Sequence, residues 1–355
     1  MTKEHELTHQ LLLWFKNNKR DLPWRTKKRD VYAVWLAEIM LQQTTVTAVI
    51  PYYQNFLVKW PNVQALAQAT DDNVMRAWAG LGYYARARNM LKCARFVIDE
   101  CQGVFPRAHD DLIKLPGIGP YTAAAVSAIA FNGPSAPVDG NVIRTLSRLY
   151  AVDAEMPKNK DQIQSLADAL LPTNHSGDFA EALMDLGSQV CRPKNPDCAV
   201  CPWVQSCKAH GDGEARAYPK KAPKKLKPTR LGWAFWVERP DGTVLLERRP
   251  PKGLLGGMMG LPTTVWGVSL PTAEQAVQSF APKVWAELPG HIEHTFTHFH
   301  LELGVVRVRV NGAEALEGVW VHVEDLDVQA LPSVMKKAIL FAQNHESLTS
   351  NVRIK

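Results

Sequence analysis

The stretch "KLPGIGPYTAAA", residues 114–125, decides the reading of this chain. Leu112 and Leu115 close one short helix, and Pro120 suits the first position of the next. Between them, Gly117 and Gly119 let the backbone come close to a ligand. The free amides at the new helix's N-terminus suit a phosphate. No third glycine follows at dinucleotide-fold spacing and no strand precedes the turn, so it is not a dinucleotide fingerprint. It is either a plain helix–helix turn or a hairpin that grips a phosphate without reading sequence.

The chain has 355 residues, 46% hydrophobic and 21% charged, with a net charge of +6 and a pI near 8.9. That length allows two domains with real cores. The mild basicity is a weak pointer to a polyanion. The N-terminus, "MTKEHELTHQLLLWFKNNKR", carries an apolar run of only about five residues, too short for a signal peptide. No run reaches the ~18 apolar residues of a membrane span. A cytoplasmic location with no membrane partner is therefore expected, nucleoid-associated in a bacterium.

Outward from the hairpin, residues 1–214 read as helical. "RDVYAVWLAEIMLQQTTV", "DDNVMRAWAGLG", "YARARNMLKCARFVIDEC", "NVIRTLSRLY" and "KDQIQSLADALL" have helix-length apolar patterning. Residues 215–230, "ARAYPKKAPKKLKPTR", hold seven basic residues, three prolines and no acid. Such a linker is expected to be extended, either as a solvated tether or with added phosphate contacts. From Leu231 the pattern turns to α+β. "LGWAFWVE" and "TVLLERR" form a hairpin around Asp241-Gly242, "LELGVVRVRV" and "GVWVHVE" are strands, and "TAEQAVQSFA" and "SVMKKAILFAQ" are helices. This second domain spans 231–345, and a tail follows at 346–355.

Three sets of side chains carry chemistry. Asp139, eighteen residues past Tyr121, precedes a helix and reads first as an N-cap. Glu38 neighbours Val34, Trp35, Leu41 and Gln42 on its helix. It is a rim acid or a pocket acid, and in a pocket desolvation would keep it protonated. Cys191, Cys198, Cys201 and Cys207 follow a C-x6-C-x2-C-x5-C pattern. Four thiolates so spaced fit a tetrathiolate zinc site or an iron–sulfur cluster. Cys93 and Cys101 lie on one predicted helix, roughly 12 Å apart along its axis, too far for a disulfide.

Together these residues resemble the endonuclease III-like helix-hairpin-helix DNA glycosylases and, within them, the adenine-specific MutY type. "LPWR" (22–25), "EIMLQQT" (38–44), "GLGYYARARN" (80–89), "MDLG" (184–187) and "FTH" (296–298) carry the likeness, which runs to about residue 343. It implies an all-α glycosylase domain with a cluster loop at 191–207, joined to an α+β Nudix-like domain. By similarity the substrate is duplex DNA holding adenine opposite 8-oxoguanine or guanine. The target base is flipped into a pocket, and its release follows glycoside chemistry. Glu38 protonates the adenine and Asp139 stabilises the oxocarbenium-like sugar. Tyr121 stands where lyase relatives carry a lysine and sits against the catalytic Asp, so the resemblance implies no true lyase. Gly117, Gly119, Trp24, Arg25 and Asn141 are assigned to DNA contact, with Gln43 and Tyr83 as wedges. The cysteines would ligate one [4Fe–4S] cluster. Phe296, Thr297 and His298 match a loop that reads 8-oxoguanine, with Thr297 where Ser is usual. The second domain lacks the R-E-x-x-E-E acids that hold Mg²⁺, so recognition is expected there and not hydrolysis. The implied enzyme is a monomer with no obligatory protein partner.

Three rivals stand beside it. An endonuclease III-like lyase is disfavoured by Tyr121. A non-catalytic lesion-binding or iron–sulfur regulatory protein is disfavoured by intact Glu38 and Asp139. A pyrophosphohydrolase lacks its metal ligands. The histidines 291, 294, 298 and 300 lack a cysteine or acid cluster that would make them a metal site.

Overall fold

In the computed structural model the described residues are 2–223, 226–250, 253–280, 284–311, 316–326, 329, 331–345 and 353–354. The chain divides into two compact units, Met1–Pro223 and Lys224–Lys355. No helix among the described residues is long and apolar enough to cross a membrane.

The first unit is helical: α1 (Lys3–Asn18), α2 (Val31–Leu41), α3 (Val46–Lys59), α4 (Val63–Ala67), α5 (Asp71–Trp78), α6 (Ala85–Glu100), α7 (His109–Leu112), α8 (Pro120–Phe131), α9 (Gly140–Tyr150), α10 (Lys160–Ala169) and α11 (Ser176–Asp185). Its centre is α8, whose residues Thr122 to Ile129 are all buried. Small side chains decide its neighbours. Ala125, Ala128 and Ile129 of α8 meet Val34 of α2 and Ala180 of α11 in one cluster, with Tyr121 and Met184 packed against it. Alanines at a helix contact shorten the interaxial distance. The helices α2, α8 and α11 are thereby held close, and the polar groups each carries at one end are brought together.

The quoted stretch forms the hairpin between α7 and α8. Gly117 has φ +76°, and a Cβ there would lie 2.6 Å from Cβ of Asn89; both the backbone and the packing require glycine. Gly119 is the N-cap of α8 and Pro120 opens the helix, with no side chain capping its first amides. Residues 218–221 are less free than a tether. Lys220 Nζ lies 2.6 Å from Asp153 Oδ1 and the Met156 amide donates to the Lys220 carbonyl at 2.9 Å. The ion pair and backbone bonding hold these residues against the first unit despite their composition.

The second unit is a mixed sheet. Its strands are β1 (Thr229–Glu238), β2 (Thr243–Arg248), β3 (Met259–Gly260), β4 (Val284–Glu287), β5 (Ile292–Thr295), β6 (His300–Arg309), β7 (Val319–His322) and β8 (Arg353–Ile354). The order is β3-β2-β1-β6-β4-β8, with β5 on β6 and β7 on β2. The β1–β2 hairpin turns at Asp241-Gly242, where Gly242 has φ +78°. The parallel β1–β6 pair, from Thr229↔His300 to Glu238↔Arg309, was not foreseen. Being central, β1 is buried on both faces. Ala234 and Trp236 face a core shared with α12 (Ser333–Asn344). Trp233, Phe235 and Val237 face a second core that includes Ala273 and Phe280. The stretch 272–281 is one helical turn, Ala273–Ala276, continued as a 3-10 turn to Phe280. Apart from Arg353–Ile354, the tail beyond His345 lies outside the described residues.

Candidate active site and cysteine loop

Helix α2 reads VYAVWLAEIML, and Glu38 is its one charged residue. Asp30 caps it, its Oδ1 accepting the Ala33 amide at 3.0 Å. The whole helix is apolar because it is buried between neighbours, and Glu38 is buried with it, 5% exposed. Burial pushes Glu38 up to about 7; the Tyr121 hydroxyl and Arg25 oppose this, while the charges of Asp139 and Glu181 add to it. A carboxyl tuned so is protonated in a large fraction of molecules near neutrality.

The Tyr121 hydroxyl, in the first turn of α8, lies 3.4 Å from Met184 Sδ and is also a hydrogen-bond partner of Glu38, its single proton being shared between the two. Burial, then the charges of Glu38 and Asp139, raise its pKa well above that of a free phenol. Of the two acids, Glu38 acts on it more strongly and is its hydrogen-bond partner. Asp139 does cap α9. Its Oδ1 accepts the amides of Asn141 and Val142, each at 2.8 Å, and its Oδ2 accepts Asn141 Nδ2 at 2.8 Å. In all three bonds it acts as acceptor. Glu38, Tyr121 and Asp139, far apart in the chain, interact in one place.

Beside them is a cavity of about 40 Å³ bordered by Glu38, Arg25, Trp24, Val46, Glu181 and Met184, among others. Trp24 and Arg25 therefore line the pocket and are not on an open face. Trp24 is 8% exposed and meets Tyr53 edge-on at 5.4 Å. Behind Arg25 stands an ion-pair network that the sequence reading missed. Arg25 forks onto Asp185 at 2.6 and 2.9 Å, and its Nε lies 3.2 Å from Glu181 Oε1. Arg20 donates to Asp185 at 2.6 Å and Arg29 to Glu181 at 3.0 Å. Burial works against the charge of Arg25, yet these acids leave its pKa raised. Burial raises Glu181, opposed by Arg25 and Arg29. A signal was present: Glu181 and Asp185 are four apart on α11, so they share one helix face.

Asn141 joins this centre to the cysteine loop. Its Oδ1 accepts Arg144 Nη2 at 2.8 Å, and Arg144 donates onward to the carbonyls of Cys191 at 2.7 Å and Gly187 at 2.6 Å. A Cβ at Gly187 would lie 2.5 Å from Asn141 Cβ, which accounts for the glycine of "MDLG". Arg148, fully buried, donates to Cys191 Sγ at 3.3 Å and to the carbonyls of Arg192, Pro193 and Tyr218. Trp203 is buried and its indole donates to the Leu7 carbonyl at 2.8 Å. The loop is thus anchored by two arginines of α9 and by its own Trp203.

Cys191, Cys198, Cys201 and Cys207 border one cavity with Val190, Val204 and other residues. Burial pushes Cys201 up to about 12, and the other three cysteines add to this, so it is a neutral thiol unless a metal ionises it. Among the described residues, no group of three or more His, Cys, Asp or Glu side chains could hold one metal ion. The convergence of four thiols on one lining, with a guanidinium donating to sulfur, is a donor set that fits a thiolate-bound metal centre. Cys93 and Cys101 are free.

On the same unit, Gln43 and Tyr83 are both exposed and both have positive φ, 56° and 47°. In the second unit, Thr297 and His298 are exposed at the tip of the β5–β6 turn. Phe296 lies beneath them, stacked on Phe299 at 4.8 Å, and Lys227 Nζ donates to its carbonyl at 2.7 Å.

Comparison with known proteins gives the family of this chain. Residues 36–172 match the HhH-GPD superfamily of base excision DNA repair proteins and residues 233–340 the NUDIX domain. The human adenine DNA glycosylase is 32% identical over 95% of this chain and 74% of its own length. That of Buchnera aphidicola subsp. Schizaphis graminum is 32% identical over 93% and 97%. This chain belongs to the adenine DNA glycosylase family. It is a DNA glycosylase of base excision repair with DNA as its substrate. A thermostable thymine-DNA glycosylase, 29% identical, superposes with a TM-score of 0.55 over 59% of this chain and 98% of its own. A trapped endonuclease III–DNA complex, 22% identical, shares the helical fold with a TM-score of 0.51.

Proposed function

We propose that this glycosylase hydrolyses the N-glycosidic bond of adenine opposite 8-oxoguanine or guanine, with Glu38 as the acid. The observation that carries this is a buried carboxyl raised to about 7 beside the hydroxyl of Tyr121. Glu38 protonates the flipped adenine, which turns a poor leaving group into a neutral base. It then takes a proton from the water that attacks the sugar. Asp139, held by three N–H donors, faces the positive charge that develops on the deoxyribose ring. A cavity of about 40 Å³ is near the volume of one water, so its side chains must open to admit a purine. Glu181 and Arg25 then border the base.

Tyr121 fits a hydrolase without lyase activity, since a phenol cannot form an imine. The four cysteines would hold a [4Fe–4S] cluster, which when bound supplies a fixed scaffold for the loop carrying Arg192, Lys194 and Lys208. Thr297 and His298 read the base opposite the adenine, a role supported by their exposure above the Phe296–Phe299 stack. The two units support a catalytic domain followed by a recognition domain, the boundary falling at Pro223–Lys224 inside the basic stretch.

The deciding experiment is single-turnover base release from duplexes with adenine opposite 8-oxoguanine, guanine, cytosine and thymine. Release should be fastest opposite 8-oxoguanine, then guanine. Equal rates on all four would overturn the assignment. Glu38→Gln should keep duplex binding and lose release.

A further inference from the structure

Gln43 and Tyr83 hold their side chains out to solvent from a backbone conformation that neither residue favours. Gln43 follows the C-cap of α2, where glycine is the usual left-handed residue. Tyr83 follows Gly82 and precedes α6, and is 54% exposed. A chain that keeps a bulky side chain at such a site holds it there through surrounding contacts.

The contacts converge on Arg86. Its Nη1 donates to the carbonyls of Ile39 at 3.1 Å and Met40 at 2.7 Å. Its Nη2 donates to Thr44 Oγ1 at 3.0 Å, the Leu81 carbonyl at 3.1 Å and the Gly82 carbonyl at 3.2 Å. Ile39 and Met40 lie in the last turn of α2, where carbonyls lack helical partners. Thr44 follows Gln43, and Gly82 precedes Tyr83. The guanidinium lies 5.5 Å from the Tyr83 ring and 5.2 Å from the Trp78 ring. One planar cation therefore ties both strained segments together. Helix α6 gains nothing from it, because a cation in a first turn opposes the helix dipole. Lysine could not replace it, since an ammonium lacks the fork that reaches acceptors on two segments.

We propose that Arg86 is a positioning residue that locks Gln43 and Tyr83 into a single wedge, which enters the duplex as the target base leaves it. This rests on the reading of those two residues as duplex wedges. Arg86 itself touches no base; it fixes the spacing and direction of the two side chains that do. The wedge is then preformed before DNA arrives, and extrusion does not have to supply the cost of ordering it.

The test uses the full chain in a Glu38→Gln background, so that no base is lost. The probe is a duplex with 2-aminopurine in the adenine position opposite 8-oxoguanine. Anisotropy reads binding, and 2-aminopurine fluorescence reads extrusion. Arg86→Lys and Thr44→Val are compared with Gln43→Ala and Tyr83→Ala. Arg86→Lys should bind within about threefold of the parent and lose at least about fivefold in the extruded-to-stacked ratio. Thr44→Val, which removes one acceptor only, should shift the ratio in the same direction by less. If Arg86→Lys does not fold, Thr44→Val decides alone. Normal extrusion in both, with loss in Gln43→Ala and Tyr83→Ala, overturns the role of Arg86 and leaves the wedge intact. Normal extrusion in the two alanine variants overturns the wedge and this inference with it. Equal loss of binding and extrusion in Arg86→Lys marks a general structural role and also overturns it.

Discussion

Asn141 bonds Asp139 twice, its amide to Oδ1 and its side chain to Oδ2, both at 2.8 Å. The first bond is ordinary helix capping; the second fixes the carboxylate plane. Because Asn141 Oδ1 accepts from Arg144, which in turn bonds the Cys191 carbonyl, the plane is referred to the cysteine loop. Replacing Asn141 by Leu keeps the amide bond and removes the side-chain one. A hydrogen bond to a charged group contributes about 1.5–3 kcal/mol, so base release should slow by roughly ten- to a hundredfold. Duplex affinity should hold. Single-turnover rates and a binding titration check both, and an unchanged rate would remove Asn141 from the argument.

Glu38 makes pH a direct probe. Its acid role needs the proton, so the single-turnover rate should be flat below about pH 7 and fall above it. The same residue acts on stability. Its carboxyl is raised from 4.5 unfolded to about 7 folded, so between these values the folded state binds more protons. Stability contributed by this group therefore falls as pH rises through that window. At roughly 1.4 kcal/mol per pH unit the full loss is on the order of 3 kcal/mol. Glu38→Gln should then melt higher than the parent at pH 8 and close to it at pH 4.5. A variant less stable at pH 8 would contradict the burial argument.

Tyr121→Lys puts an amine at the head of α8, beside Glu38. With the unaltered chain, borohydride should trap almost no covalent adduct on adenine-mispaired duplex, since a phenol forms no imine. With Tyr121→Lys a trapped band should appear, and base release should slow because the hydroxyl contact to Glu38 is gone. Abundant trapping by the unaltered protein would refute the hydrolase reading.

Residues whose role is local were legible in the sequence. The two glycines, Pro120 and the cap at Asp139 follow from backbone geometry within a few positions, and Glu38 stands out as one charge on an apolar helix. The hairpin at Asp241-Gly242 is equally local. What could not be read were partners set by tertiary approach. Asp185 was visible in "MDLG", but its pairing with Arg20 and Arg25 depends on α11 lying against the 20–29 segment. Arg86 was visible in "GLGYYARARN", yet its acceptors lie more than forty residues upstream as well as next to it. The parallel pairing of β1 with β6 spans seventy residues, and alternation along a strand does not say which strand it will join.

Lys227 belongs by composition to the basic linker, but its Nζ bonds the Phe296 carbonyl at 2.7 Å. The next residues continue the attachment, with the His300 amide donating to the Pro228 carbonyl at 3.0 Å and the Arg230 guanidinium 4.4 Å over the Phe299 ring. The start of β1 is therefore fastened along both sides of the turn that carries Thr297 and His298. If that turn reads the opposite base, Lys227→Met should leave release opposite guanine nearly unchanged and reduce the preference for 8-oxoguanine. One exposed hydrogen bond contributes about 0.5–1.5 kcal/mol, so the ratio of rates should shrink by about two- to tenfold. The Thr297→Ala and His298→Ala variants serve as the reference. A Lys227→Met protein that weakens on every duplex by the same factor would show that this lysine meets phosphate and does not shape the turn.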